Sequence, residues 1–210
     1  MAIGIGIVGT GLVAELHMPA IAAVEGVRAV AVADIAADRA KDFAARYNLP
    51  AHYADLRSFL ADPQIDAVIV GTPNRYHTEV AIEAAAMGKH ILCEKPITHD
   101  LVSGAHIIEA CAKAGGQLHI GFNQRYANTV TAARNIIQSG LIGEIKSFRS
   151  VFSEKWDEWV DIDNFRYDRK LSGGDGSYNP SYRPDQIHAE PGFHRGLRHA
   201  STQCDACTVG

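Results

Sequence analysis

The sequence predicts an α/β protein whose first part is a doubly wound parallel sheet, and three observations predict it. Short apolar runs alternate with Ala-rich segments of helical period. The runs are continuously apolar, as strands covered on both faces must be. The first of them ends in a glycine-rich turn that opens directly into a helix-favouring segment.

Taken in order, "IGIGIV" (Ile3 to Val8) is a strand ending at Gly9, and Leu12–Val24 follows as a helix. "VRAVAVAD" (Val27 to Asp34), rich in β-branched residues, is the second strand, and Ala36–Tyr47 the second helix. "DAVIVG" (Asp66 to Gly71), "HILCE" (His90 to Glu94) and "QLHIGF" (Gln117 to Phe122) are later strands. Arg75–Met87 and Leu101–Ala114 are the helices between them, with apolar residues three and four apart, and Gly88 is a helix stop. Strand–helix alternation of this kind makes βαβ units. From about Asn123 the texture changes. A helix-like "TVTAARNIIQSG" leads into the β-rich "GEIKSFRSVFSEKW", the opening of an incomplete α+β second domain.

Composition sets the class. At 210 residues, 47% hydrophobic and 21% charged, the chain can bury a core. A net charge of −4 gives no basic footprint, so no nucleic-acid partner is expected. No apolar run approaches the ~20 residues of a membrane span, and none is expected. "MAIGIGIVGTG" lacks the basic start and small-residue cleavage site of a signal peptide. The four cysteines therefore read as thiols, Cys93 and Cys111 as buried ones, in a soluble cytoplasmic protein.

"GIVGTGLVAELH" places Gly9, Gly11 and Ala14 in the pattern G-x-G-x-x-A between a strand and a helix. Gly9 permits the tight turn, Gly11 lets a pyrophosphate approach the backbone, and Ala14 lets helix and strand pack closely. Thr10, Leu12 and Val13 complete the turn and helix start, whose free N–H groups favour an anion. The overlapping match at Gly4 and Gly6 lies inside the strand and is set aside. Asp34 ends the second strand 20 residues past Ala14, where an acid accepts ribose hydroxyls. The pattern predicts a Rossmann dinucleotide-binding domain over residues 1–122. A carboxylate at Asp34 repels a 2′-phosphate and favours NAD, while Arg39 nearby softens the discrimination and leaves NADP open.

A second constellation lies in "GTPNRYHTEVAIEAAAMGKHILCEKP". The turn Thr72-Pro73-Asn74 and the step Glu94-Lys95-Pro96 both follow strands and meet at the carboxyl edge, where open α/β sheets bind ligands. Lys95 is expected to project toward the nicotinamide end, with Pro96 stiffening the backbone beside it. Partial burial would lower its pKa and suit it to proton transfer.

G-x-G-x-x-A, then "TPN..H", "GKHILCEKP", "GFNQRY" and "SGLIGEI", in this order, resemble the Gfo/Idh/MocA oxidoreductases, the glucose–fructose oxidoreductase and inositol 2-dehydrogenase relatives. The resemblance covers roughly residues 3 to 174, and "EKP" with its flanking "GKH" is its most specific part. It implies a Rossmann domain followed by an α/β domain, here begun at 123–174, whose sheet makes homo-oligomer contacts. Such contacts are doubtful where that domain is incomplete. It also implies hydride transfer between NAD(P) and a sugar, cyclitol or related polyol. By matching position, Lys95 is the active-site lysine. Thr72, Pro73, Asn74, Glu94 and Asn123 are cofactor-side residues, and Arg125 lies on the cofactor or substrate side. His77 reads either as a helix residue packing on the core or as a ligand contact.

The resemblance further implies a late G-G-G, an acid, and a histidine four residues on that serves as acid/base. "FRYDRKLSGG" reaches Gly173-Gly174, and no Asp-x-x-x-His follows. The nearest Asp–His pair, Asp185 and His188, is spaced three and lies late. Residues 175–210 are rich in Pro, Gly, Arg and His without helix or strand period, and an atypical, disordered tail is expected there. A shifted frame best fits the abrupt loss of pattern; a shortened natural end and a new element are the other readings. His194, His199, Cys204 and Cys207 resemble a zinc set in type only, since their order and spacing are loose, so no metal is expected. Two functions follow: an oxidoreductase, impaired in this short form, or a nucleotide-binding module that senses or partners without catalysis.

Overall fold

The structure, a computed structural model, describes residues 2–147. Six parallel strands form one sheet: β1 (Ile3–Val8), β2 (Val27–Ala33), β3 (Ala51–Tyr53), β4 (Ala67–Val70), β5 (His90–Cys93) and β6 (Leu118–Ile120). Their order across the sheet is β3-β2-β1-β4-β5-β6. The connections run outward from β1 in one direction and from β4 in the other. The chain thus reverses between β1 and β4, the switch point where such sheets bind ligands.

The helices are α1 (Leu12–Ala23), α2 (Ala37–Tyr47), α3 (Leu56–Leu60), α4 (His77–Ala86), α5 (Leu101–Ala114) and α6 (Asn128–Gln138). Alternation along the strands divides the core into two layers. Ile7, Val32 and Ile69 face α1 and α2, packing with Ala14, Met18, Phe43 and Ala44. Val8, Val30, Val68, Val70 and Cys93 point the other way, among Phe59, Leu60, Ala81, Ala84, Ile107 and Cys111. Truncating a wholly buried ring such as Phe59 costs about 3–5 kcal/mol.

Local chemistry sets the helix ends. Asp55 caps α3 by accepting from the Ser58 amide at 2.8 Å, and Asp100 caps α5 from the Ser103 amide at 2.8 Å. Gly115 ends α5 in the left-handed conformation. The expected helix over Arg75–Met87 begins instead as a single 3-10 turn, Asn74–Tyr76, before α4. α6 occupies the expected helix-like segment and has no buried residue among those described.

β1, β2, β4, β5 and β6 were expected from the sequence; β3 and α3 were not. The remainder of the second-domain segment (through residue 174), the 175–210 tail, Asp185, His188, His194, His199, Cys204 and Cys207 lie outside the described residues. Among the described residues, no helix is long and apolar enough to cross a membrane, and no group of three or more His, Cys, Asp or Glu could hold a metal ion.

Candidate functional site

Backbone bonds one residue past β1, β2, β4, β5 and β6 hold the carboxyl edge level. Asp34 N–H donates to Tyr53 O (3.2 Å), Gly9 N–H to Ala33 O (2.7 Å), Gly71 N–H to Val8 O (2.9 Å), Glu94 N–H to Val70 O (3.0 Å) and Gly121 N–H to Cys93 O (2.8 Å). The residues singled out in the sequence therefore stand in one row. From β2 to β5 the row crosses three strand spacings, about 14 Å. Asp34 lies toward one end, Glu94 and Lys95 toward the other, with the glycine turn between.

Gly9 has φ +94°, and a Cβ there would lie 2.8 Å from the Gly71 carbonyl oxygen. Only glycine allows the β1 turn to lie against the β4 turn. Gly11 differs: its φ is −76°, and a Cβ would meet nothing within 4 Å. Among the described residues, no atom requires a glycine there. The open space adjoins the start of α1, which has no side-chain cap, and the first-turn N–H groups of a helix lack intrahelical partners. Ala14 is fully buried under the helix. The hydroxyl of Thr72 is buried without a hydrogen-bond partner among the described residues. An open glycine, an uncapped helix start and an orphaned hydroxyl at one switch point fit a dinucleotide.

Asp34 is bound from both sides. One carboxylate oxygen accepts from the Thr10 hydroxyl at 2.6 Å and the Thr10 amide at 3.0 Å; the other accepts from the Ala36 amide at 3.0 Å. Arg39 approaches to 3.8 Å. Burial pushes the carboxyl up, but the Thr10 hydroxyl, the two amides and the Arg39 charge outweigh it and hold Asp34 below its usual value. A carboxylate has about four acceptor sites, so room remains for ribose hydroxyls.

Beyond β5, Lys95 is exposed, and the Lys95–Pro96 bond is cis. The expected partial burial of Lys95 is not present: the described residues support the turn from below and leave its outer side open. Glu94 is half-buried. His17, on the second turn of α1, meets one of its carboxylate oxygens at 2.9 Å, and the Lys95 amide donates to the other at 3.3 Å. Burial raises Glu94, but the His17 contact and the Lys95 amide and charge hold it below the usual range. A Cβ on Gly121 would lie 2.8 Å from that carboxylate, so this glycine makes room for it. Neither His17 nor Gly121 was singled out from the sequence. The only signal was that His17 follows the glycine turn by one and a half helical turns.

His77 takes the packing place rather than a ligand-facing one. It is 1% exposed, with Nδ1 2.8 Å from the Pro96 carbonyl and Nε2 3.0 Å from the Thr72 carbonyl. The ring thus sits behind both crevice turns and joins them. Burial pushes its pKa down, against the carbonyl contacts and the Glu94 charge. Pro73 and buried Asn74 complete the β4 turn. Asn123 and Arg125 are exposed on a 3-10 turn past β6, and the Arg125 guanidinium lies 6.0 Å over the Phe122 ring. Cys93 is fully buried; burial and the Glu94 charge push its thiol up to about 12, which leaves it unreactive.

This fold and this edge define a dinucleotide-binding Rossmann domain. Residues 3–122 match the Gfo/Idh/MocA oxidoreductase family, NAD-binding Rossmann fold, and the chain belongs to that family. It is 36% identical to the inositol 2-dehydrogenase of Salmonella typhimurium over 69% of this chain and 44% of that protein. It is 32% identical to the levoglucosan dehydrogenase of Pseudarthrobacter phenanthrenivorans over 73% of this chain and 42% of that protein. The structure of the WlbA dehydrogenase of Bordetella pertussis, in complex with NADH and UDP-GlcNAcA, superimposes with a TM-score of 0.65 at 28% identity, covering 68% of this chain and 44% of that one. The chain therefore spans less than half the length of these relatives.

Proposed function

We propose that this chain binds NAD across the sheet edge and belongs to a dehydrogenase acting on a CH–OH group of a sugar, cyclitol or related polyol. The observation that carries the proposal is that one carboxyl edge holds both a helix start left open at Gly11, at the switch point, and an exposed lysine two strands away. Gly9, Thr10, Gly11, Leu12, Val13 and Ala14 would hold the pyrophosphate, and Asp34 the adenosine ribose. Thr72, Pro73, Asn74, Glu94, Asn123 and Arg125 would hold the nicotinamide half, with His77 supporting the turns from behind.

When bound, NAD supplies the acceptor for a hydride leaving a secondary-alcohol carbon. Lys95 would polarise the alcohol oxygen, whose proton passes to a base as the carbonyl forms. Asp34 favours NAD over NADP, tempered by Arg39 at 3.8 Å. The substrate class rests on relatives that act on inositol and levoglucosan. A second reading is a nucleotide-binding module with little turnover: the open helix start at Gly11 and the Asp34 carboxylate are features of nucleotide binding alone. Loss of an acid/base partner costs roughly 10²- to 10⁴-fold in rate.

Fluorescence titration with NADH, and NADH formation from NAD with a panel of inositols and aldohexoses, test both readings. Binding with turnover that Lys95→Ala abolishes supports the dehydrogenase. Binding without turnover leaves the module, and absence of NADH binding sinks both.

A further inference from the structure

The polar pair His17–Glu94 is the one contact described between the pyrophosphate-side helix and the residue preceding Lys95, and it spans 77 positions of sequence. Its side chains are 20% and 17% exposed, so it lies at the mouth of the crevice rather than in the core. The carboxylate has little freedom. His17 holds one oxygen, the Lys95 amide approaches the other, and the Gly121 backbone lies so close that a Cβ would come within 2.8 Å. Three segments, α1, the β5 edge and the β6 edge, thus converge on one side chain. α1 has its start at the pyrophosphate end, and Glu94 stands next to the lysine.

We propose that His17 is a positioning residue for the nicotinamide half of the site: it orients the Glu94 carboxylate toward the bound cofactor and ties the Glu94–Lys95 step to α1. This rests on the reading of the chain as an NAD-binding protein. Nε2 of His17 holds one carboxylate oxygen, which turns the second toward the Lys95 side. Among the described residues that second oxygen accepts one long amide bond, at 3.3 Å, which leaves acceptor capacity for a ligand hydroxyl. Without His17 the carboxylate is free to rotate, and its orientation must be fixed at the moment of binding, which weakens affinity. The adenosine half, held by the glycine turn and Asp34, does not depend on this pair.

The test uses two probes on the full chain. NADH occupies both halves of the site and ADP only the adenosine–pyrophosphate half. Calorimetric titrations compare wild type with His17→Ala, His17→Gln and Gly121→Ala, each checked by thermal melting. His17→Ala is expected to weaken NADH about tenfold, the loss of one charge-assisted hydrogen bond, while ADP affinity stays within about twofold. His17→Gln places an amide donor near the former Nε2 and should recover most of the NADH affinity. Gly121→Ala displaces the carboxylate without altering His17 and should reproduce the His17→Ala pattern, which keeps the test open if His17→Ala does not fold. Equal weakening of NADH and ADP would mean that His17 only steadies α1 and would overturn the proposal, as would unchanged NADH affinity in both His17→Ala and Gly121→Ala. Failure of the wild type to bind either probe would instead overturn the NAD-binding reading on which the proposal rests.

Discussion

Thr10 holds Asp34 twice, through its hydroxyl at 2.6 Å and its backbone N–H at 3.0 Å. The glycine turn after β1 and the acid after β2 are therefore one unit. Thr10→Val keeps the amide bond and the side-chain shape but removes the hydroxyl donor. We expect a stability loss of about 1–2 kcal/mol at neutral pH. Asp34 lies below its ordinary value of 3.8, so its stabilisation is present above that pH and is lost as pH falls through the lower folded value. Without the hydroxyl the folded value rises, and the gap between wild type and variant narrows below about pH 4. Urea melts from pH 7 to pH 3 measure this, and a gap independent of pH would show that Thr10 acts by packing alone.

The same acid is expected to govern the choice of nucleotide. Removing its charge in Asp34→Ala leaves Arg39 beside the proposed ribose site without the carboxylate it approaches. The ratio of NADPH to NADH dissociation constants should then fall, by about tenfold or more. Arg39→Ala should raise the ratio. Paired titrations with the two nucleotides decide it; equal ratios in all three proteins would place the ribose elsewhere.

Two glycines of one motif should behave differently when changed to alanine. At Gly9 the backbone has φ +94° and a Cβ would press on the Gly71 carbonyl. Gly9→Ala should therefore destabilise the fold by about 1–3 kcal/mol from strain alone. At Gly11 a Cβ meets open space, so Gly11→Ala should melt within about 0.5 kcal/mol of wild type yet bind NADH at least about tenfold more weakly. If Gly11→Ala binds NADH normally, the pyrophosphate does not lie where the helix start points.

Much of this was legible in the sequence because it is local. β1, β2, β4, β5 and β6 are apolar runs, and the glycine turn lies within a few residues of β1. β3, Ala51-His52-Tyr53, lacks the apolar run that marked the equally short β6, and α3, five residues long, is too short to show a period; the Asp55–Ser58 cap was the available sign. The exposure of Lys95 was not legible, because burial depends on what covers a turn and not on the turn itself. The His17–Glu94 contact and the space at Gly121 were hidden for a related reason. They join α1, β5 and β6, and no spacing along the chain announces a meeting of three distant segments.

His77 offers the last prediction, since its ring faces two carbonyls with both nitrogens. A neutral imidazole donates to only one of them, and a protonated ring would satisfy both. Burial wins and pushes the pKa below the ordinary 6.5. The sign follows: above pH 6.5 the ring is neutral folded and unfolded, and its contribution is fully present. Below 6.5 the unfolded chain takes the proton first, so stability falls as pH falls toward the folded value, by at most about 1.4 kcal/mol per pH unit. His77→Leu removes the donor that joins the Thr72 and Pro96 turns and should cost about 1–3 kcal/mol at pH 7.5. It also removes this titration. The difference in stability between wild type and variant, measured by urea melts at pH 7.5, 6.5 and 5.5, should therefore shrink on the acid side. A difference that stays constant would mean that the ring titrates alike in the folded and unfolded chain, and that its carbonyl contacts offset the whole cost of burying its charge.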